Sequence, residues 1–151
     1  MSENQMQKSM SKRNSILLTG VAAALAICVF TAAAAEKKVD VSKLPPPSDK
    51  QGVTYATDIK PIFEKSCLKC HGPEKQKSKL RLDSLTATLK GGENGPDIIP
   101  GKSAESTLVH NIAHIGDEDD YMPPPDNKDK IPPLNKEQIG LIRAWIDQGA
   151  K

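Results

Sequence analysis

Five consecutive residues, Cys67-Leu68-Lys69-Cys70-His71, restrict the fold of this chain more than any other feature of its sequence. Residues three positions apart on a helical turn project from the same face, so both thiols can reach one side of a planar partner. The next residue then carries its imidazole beneath that partner. The C-x-x-C-H pattern is typical of c-type haem attachment, in which two thiols add to the porphyrin vinyl groups and the histidine binds iron. It therefore predicts one covalent haem held by Cys67 and Cys70, with His71 as an axial ligand.

Other uses of the two cysteines fit the sequence less well. A redox disulfide of the thioredoxin type accompanies a βαβ pattern, which is absent here, and a structural disulfide across two intervening residues is strained. Zinc is the remaining alternative, because His110 and His114 lie four residues apart and could complete a Cys2His2 set with Cys67 and Cys70. However, 39 residues separate the two pairs, far more than in a zinc finger.

The first 35 residues have the layout of a secretory signal peptide. Three basic residues precede a run of 20 uncharged residues, 16–35, and the run ends in alanines that form a good cleavage site. The rival interpretation is an uncleaved anchor, because 20 apolar residues are just long enough to span a bilayer. We expect cleavage after Ala35 and a periplasmic or otherwise exported protein, with membrane attachment only if the leader is retained.

Removal of the leader simplifies the chemistry of the chain. Cys28 leaves with it, so only Cys67 and Cys70 remain, and Met122 becomes the single methionine. The 21 basic and 19 acidic residues become 18 of each, which makes the mature chain formally neutral. Neutral charge and the lack of a nucleic-acid motif argue against nucleic acid as a partner. A mature chain of 116 residues with few aromatic side chains has a thin core, which a large buried cofactor would supplement.

Residues 36–53 are predicted to be a linker, because three consecutive prolines, 45–47, favour an extended polyproline II segment. Residues 54–151 are predicted to form the folded domain. No stretch alternates convincingly between apolar and polar residues, so few strands are expected. The predicted fold class is all-α, a small domain of four or five short helices, which the motif above would place around one covalent haem.

Capping residues and apolar periodicity locate the helices within this domain. The first helix is predicted to lead into Cys67, and the last to carry an apolar stripe that includes Trp145. The predicted starts are Thr57 or Asp58 for the first helix, Ser84 for a short helix, Ser103 or Ser106 for the next, and Asn135 for the last, which ends at Gly149.

A second axial ligand is expected from the C-terminal half. Met122 is the leading candidate, because it is the only methionine of the mature chain and lies in a proline-bounded loop. His110 and His114 are the alternatives and would give bis-histidine coordination. Arg81 is a possible partner of a haem propionate through its planar guanidinium, although a solvated arginine fits this lysine-rich loop equally well.

Beyond these arguments, the sequence resembles the planctomycete-type cytochrome c domain family. The resemblance implies a cytochrome c fold in which the first and last helices cross beside the haem, with attachment at Cys67 and Cys70 and axial ligation by His71 and Met122. The matching motifs occur in the family's order over nearly all of residues 55–150: Cys67-Leu68-Lys69-Cys70-His71-Gly72, Leu80-Arg81-Leu82-Asp83-Ser84, Gly91-Gly92-Glu93-Asn94-Gly95-Pro96, Ile99-Pro100-Gly101, Ser106-Thr107-Leu108, Met122-Pro123-Pro124 and Ala144-Trp145-Ile146-Asp147-Gln148-Gly149-Ala150.

These features predict an exported electron carrier that exchanges single electrons with partner proteins, rather than an enzyme. Two protein ligands saturate the iron, and His/Met ligation raises its potential. A haem peroxidase or gas sensor is the rival hypothesis. It would need an open iron position and a distal acid–base group, which His110 or His114 would supply. A third alternative is a subunit of a membrane complex, anchored by an uncleaved leader.

Overall fold

Five α-helices, joined by turns and short 3₁₀ segments, form the framework of residues 39–151, the part of the chain that the computed structural model describes. No strand occurs in this range, where the extended pairings are two isolated bridges, His71 with Gln76 and Gly92 with Gly95. The predicted all-α class is therefore confirmed. The helices are α1 (Lys60–Ser66), α2 (Leu68–His71), α3 (Leu85–Lys90), α4 (Thr107–Ile112) and α5 (Lys136–Asp147).

The first helical segment begins earlier than the sequence predicted. A π-helical turn, Tyr55–Ile59, leads directly into α1, and Thr54 is its N-cap. The Thr54 hydroxyl accepts a hydrogen bond from the Thr57 N–H at 3.4 Å, and the Asp58 carboxylate accepts one from the Thr54 N–H at 2.9 Å. Thr57 and Asp58 therefore lie inside the segment. Asp58 is the acidic partner that returns to the cap, an arrangement close to a capping box.

The later helices begin where the sequence predicted. Ser84 caps α3, and α4 starts after Ser106, whereas Ser103 opens a separate 3₁₀ turn. At the start of α5 the Asn135 side chain accepts a hydrogen bond from the Gln138 N–H at 2.8 Å, and the Gln138 side chain accepts one from the Asn135 N–H at 3.0 Å. This reciprocal capping box satisfies two backbone donors that the helix itself leaves unpaired.

The start of the first helical segment packs against the end of α5. The ring of Tyr55 lies 5.9 Å from that of Trp145 and 6.3 Å from that of Phe63, measured between centroids. The Tyr55 hydroxyl donates to the buried carbonyl of Leu82 at 2.8 Å. The carbonyl of Lys151 accepts from both the Tyr55 N–H and the Trp145 indole N–H, each at 2.9 Å. These contacts join the two ends of the domain into one core.

Part of the predicted linker packs on α5 instead of standing away from the domain. The Ser48 N–H donates to the Gly140 carbonyl at 2.9 Å, and the Arg143 guanidinium donates to the Pro45 carbonyl. Gly140 allows this close approach, because a Cβ atom there would lie 2.7 Å from the carbonyl oxygen of Pro46. The three prolines therefore line the surface of the last helix, and residues 44–48 form part of the packed structure.

The predicted signal peptide, residues 1–35, lies outside the described residues, as does the alternative that it is a membrane anchor. Within residues 39–151 the helices are too short or too polar for any of them to cross a membrane. The proposed cleavage after Ala35 and the exported location accordingly stay predictions.

Candidate functional site

A cavity of about 800 Å³ opens beside the C-x-x-C-H segment. Cys67, Cys70, His71 and Met122 all line it, although Met122 is far from the other three in the sequence. This volume falls within the range of sites that enclose small organic ligands and cofactors. The apolar part of the wall is formed by Leu80, Leu82, Leu108, Ile112, Pro123, Pro124 and Ile131.

The junction of α1 and α2 brings the two cysteines to the cavity. Cys67 ends α1, and its carbonyl accepts hydrogen bonds from the N–H groups of Cys70 at 3.0 Å and His71 at 2.9 Å. This tight turn presents both sulfurs and the imidazole to the same cavity. Both cysteines are free thiols, and burial raises the pKa of Cys67 to about 12. The thiol of Cys67 is therefore protonated at neutral pH.

His71 is buried, and its Nδ1 atom has no hydrogen-bond partner within residues 39–151. Burial lowers the pKa of His71, and the backbone at Leu80 and Lys77 partly opposes this effect. The imidazole is consequently neutral at neutral pH, which is the form that coordinates metal ions. A buried ring nitrogen without a partner also fits an additional group bound in the cavity, because such atoms are usually satisfied in native proteins.

The loop that carries Met122 is attached to the end of α4. The Met122 N–H donates to the Asn111 carbonyl at 3.1 Å, and the peptide bond between Met122 and Pro123 is cis. Met122 is half-buried, and its neighbours Tyr121 and Pro123 also line the cavity. The loop thus presents a thioether to the cavity that the cysteines and His71 line.

Asn127 stabilises the far side of this loop, a role that the sequence analysis missed. Its side-chain amide donates to the carbonyls of Pro124 at 2.8 Å and Ile131 at 2.9 Å, and its oxygen accepts the Ile131 N–H at 2.7 Å. An asparagine shortly after consecutive prolines is a turn signal, because its amide can replace backbone hydrogen bonds. That signal was present in the sequence and points to a structured loop after Met122.

Asp97 is a second residue that the sequence analysis missed. It lines the cavity, and its carboxylate accepts the Gly92 N–H at 2.9 Å. Burial raises the pKa of Asp97, while the Gly92 hydrogen bond and the nearby His71 act in the opposite direction. The site therefore contains one partly desolvated carboxyl group near the predicted axial histidine.

Arg81 does not line the cavity. Its guanidinium forms a bidentate pair with Asp83, with Nε to Oδ1 at 2.9 Å and a terminal nitrogen to Oδ2 at 2.7 Å. The planar fork of Arg81, which the sequence offered as a possible partner of a haem propionate, is therefore engaged by Asp83. The basic side chains that do line the cavity are Lys75, Lys77 and Lys128.

His110 and His114 do not line the cavity either. The Nε2 atom of His110 lies 2.7 Å from the carbonyl oxygen of Ala104, and the ring of His114 stacks on Tyr121. The part of the chain that the structure describes holds no group of three or more His, Cys, Asp or Glu residues arranged to bind a metal ion. The structure therefore does not bring together the Cys2His2 set of the zinc alternative.

The residues around the cavity fit a c-type haem. Two free thiols one helical turn apart, a buried neutral imidazole and a thioether all line one cavity, part of whose wall is apolar. These are the groups required for two thioether bonds and for His/Met axial ligation. Haem would be held by Cys67 and Cys70 and ligated by His71 and Met122.

A family model matches part of this chain. The model of the family described as Planctomycete cytochrome C matches residues 67–126, a segment that starts at the first cysteine of the C-x-x-C-H motif and extends past Met122. The resemblance predicted from the sequence motifs is thereby confirmed. No curated protein and no solved structure matches the chain.

Proposed function

We propose that this chain, whose residues 67–126 match the model of the family described as Planctomycete cytochrome C, is an exported monohaem electron carrier with His/Met ligation. The single observation that carries the proposal is the convergence of Cys67, Cys70, His71 and Met122 on one cavity. No other group of side chains around that cavity supplies both the covalent anchors and two axial ligands.

Each of the four residues has a defined task in this proposal. The haem iron, when bound, supplies reversible one-electron chemistry. Cys67 and Cys70 would anchor the porphyrin, and the imidazole of His71 and the thioether of Met122 would bind the iron. A thioether ligand favours the reduced state, which would raise the potential. With two protein ligands on the iron, small molecules would have no open site.

The walls of the cavity limit how much solvent reaches the iron. Leu82, Leu108 and Ile112 are almost completely buried, so they would keep water from the part of a bound haem that they contact. A dry surrounding reduces the solvent reorganisation that accompanies a change in iron charge. The chain thereby supplies orientation and dielectric environment, which is the protein's usual contribution to cofactor chemistry.

Charged side chains at the cavity provide a basis for partner recognition. Lys75, Lys77, Asp119, Asp120 and Asp126 line it and are exposed. Exposed charges beside a redox centre steer the encounter with a partner of complementary charge, and such steering weakens with ionic strength. The proposed partners are redox proteins of the exported compartment. Membrane attachment would require retention of the leader.

Absorption spectroscopy of the exported holoprotein tests the proposal. We expect a sharp low-spin reduced spectrum, a weak far-red sulfur-to-iron band in the oxidised form, and no response to carbon monoxide. A high-spin spectrum that shifts with carbon monoxide would instead favour the peroxidase or gas-sensor hypothesis. Absence of haem, despite a working maturation system, would refute the cytochrome assignment.

Two variants assign the sixth ligand. Met122→Ala should abolish the far-red band and allow carbon monoxide to bind, because it removes the only thioether of the mature chain. His110→Ala is the matched control, since His110 lies outside the cavity lining and contacts the Ala104 carbonyl. If His110→Ala opens the iron while Met122→Ala leaves it closed, ligation is bis-histidine.

A further inference from the structure

The ring of His114 stacks on the ring of Tyr121. The two rings are 4.5 Å apart between centroids and 9° from parallel. Tyr121 lines the cavity and directly precedes Met122, whereas His114 is outside the cavity lining. The stack therefore links a residue behind the cavity wall to the residue next to the proposed axial methionine.

The same two segments are also joined through their backbones. The carbonyl of Asn111, in the last turn of α4, accepts hydrogen bonds from the His114 N–H at 3.3 Å and the Met122 N–H at 3.1 Å. The Asn111 carbonyl thus holds both the chain reversal that follows α4 and the start of the loop that carries Met122 (the methionine loop). The stacked rings of His114 and Tyr121 then hold the side chains of the same two segments together.

The backbone of His114 is in the left-handed region, with φ at 53°. Residues other than glycine adopt this conformation rarely, because the Cβ atom approaches its own backbone. The Nε2 atom of His114 is buried and has no hydrogen-bond partner in the described part of the chain. No hydrogen bond through that atom explains the orientation of the ring, so the stacking contact with Tyr121 is the interaction that accounts for it.

We propose that His114 is a positioning residue for Met122: its ring, stacked on Tyr121, keeps the methionine loop where the thioether can stay bound to the haem iron. The inference rests on the proposed His/Met cytochrome. It assigns to His114 a role other than that of an alternative axial ligand. Loss of the aromatic face releases Tyr121 and increases the time that Met122 spends away from the iron. Replacement by another flat ring preserves the contact.

The test compares His114→Ala with His114→Phe in the exported holoprotein. His114→Ala should weaken the far-red sulfur-to-iron band and speed carbon monoxide binding to the reduced protein by roughly three- to tenfold, the effect of losing one aromatic stacking contact. It should also lower the reduction potential. His114→Phe should restore all three properties toward those of the unmodified protein. His110→Ala, four residues earlier, should leave them unchanged.

These measurements separate the failure of this inference from the failure of the proposed function. If the unmodified protein lacks the far-red band and binds carbon monoxide, His/Met ligation is wrong, and the positioning role falls with it. If the unmodified protein has the band and His114→Ala leaves both band and carbon monoxide kinetics unchanged, only the positioning role is wrong. Should His114→Ala fail to fold, Tyr121→Leu removes the other half of the stack. It must then give the same weakened band and faster binding, and normal values would overturn the proposal.

Discussion

At the scale of single residues, Asp58 shows how one carboxylate stabilises the start of the first helical segment. It accepts hydrogen bonds from the Thr54 N–H at 2.9 Å and the Thr57 hydroxyl at 2.8 Å, and it contacts the ammonium group of Lys50. The Lys50 contact first, and then the Thr54 and Thr57 hydrogen bonds, lower the pKa of Asp58 from 3.8 to about 2. The ionised form is thus favoured in the folded state.

The sign of the resulting pH dependence follows from that shift. A carboxyl group whose pKa is lower in the folded than in the unfolded state stabilises the fold fully above the unfolded value, and this stabilisation is lost as the pH falls through the folded value. We therefore expect Asp58→Asn to lower the urea midpoint of unfolding above pH 4. The difference from the unmodified protein should shrink as the pH falls from about 4 to about 2.

Asp49→Asn is the matched control for this measurement. Asp49 is exposed, and its carboxylate makes no hydrogen bond or ion pair with residues 39–151. Its replacement should leave the urea midpoint almost unchanged at every pH. If the urea midpoint of Asp58→Asn stays below that of the unmodified protein by the same amount between pH 5 and pH 2.5, the expected pH dependence is wrong.

At the scale of secondary-structure elements, α5 serves as the surface on which residues 44–48 lie. Gly140, in the interior of this helix, is exceptional, because glycine usually destabilises a helix by about 1 kcal/mol relative to alanine. Here the Ser48 N–H hydrogen-bonds to the Gly140 carbonyl, and the Pro46 carbonyl occupies the space that a side chain would fill. Packing between two elements has overridden the local helix preference.

Gly140→Ala should therefore destabilise the domain even though alanine is the better helix former. We expect a loss of about 1–3 kcal/mol in the free energy of unfolding, the usual cost of overpacking, because the added Cβ meets backbone atoms of Pro46 that must move. The measurement is urea unfolding followed by circular dichroism.

A shortened chain is the control for this substitution. In a variant whose leader is joined directly to Ser48, the Pro46 carbonyl is absent and only helix preference remains. Gly140→Ala should then be neutral or stabilising by up to about 1 kcal/mol. Equal destabilisation in both chains would show that the cost arises elsewhere than in the contact with Pro46.

At the scale of the whole molecule, the cavity and the hydrophobic core share their residues. Leu80, Leu82, Leu108 and Ile112 belong to the buried core and also line the cavity. Trp145 belongs to the same core, is fully buried and does not line the cavity. A bound haem would therefore complete the core, in agreement with the thin core expected for a chain of this length and composition.

Removing the attachment residues tests this view. The double variant Cys67→Ala and Cys70→Ala cannot hold haem covalently. We expect this variant to lose the single cooperative unfolding transition of the holoprotein, because several core residues would no longer pack against haem. Fluorescence of Trp145, the only tryptophan, and near-ultraviolet circular dichroism report the change. Met122→Ala, which retains both cysteines, should keep a cooperative transition. An equally cooperative transition with an unchanged midpoint in the double variant would contradict this expectation.

Local signals in the sequence were sufficient for several features of the molecule. The all-α class, the capping box of α5 and the starts of α3 and α4 all depend on neighbouring residues. The motifs over residues 67–126 were also sufficient to predict the resemblance to the family whose model matches that segment. Caps and periodicity act within one or two helical turns, so a single sequence contains the information they need.

The tertiary structure decided what depends on residues distant in the sequence. It placed His110 and His114 outside the cavity lining and laid the proline segment on Gly140. The sequence by itself determined most of the helix starts and the placement of Cys67, Cys70 and His71 on one turn, because these features depend on short spacings. Only the fold could bring the loop that carries Met122 to the cavity that the two cysteines and His71 line. Its position there depends on how α4, α5 and the intervening loops pack.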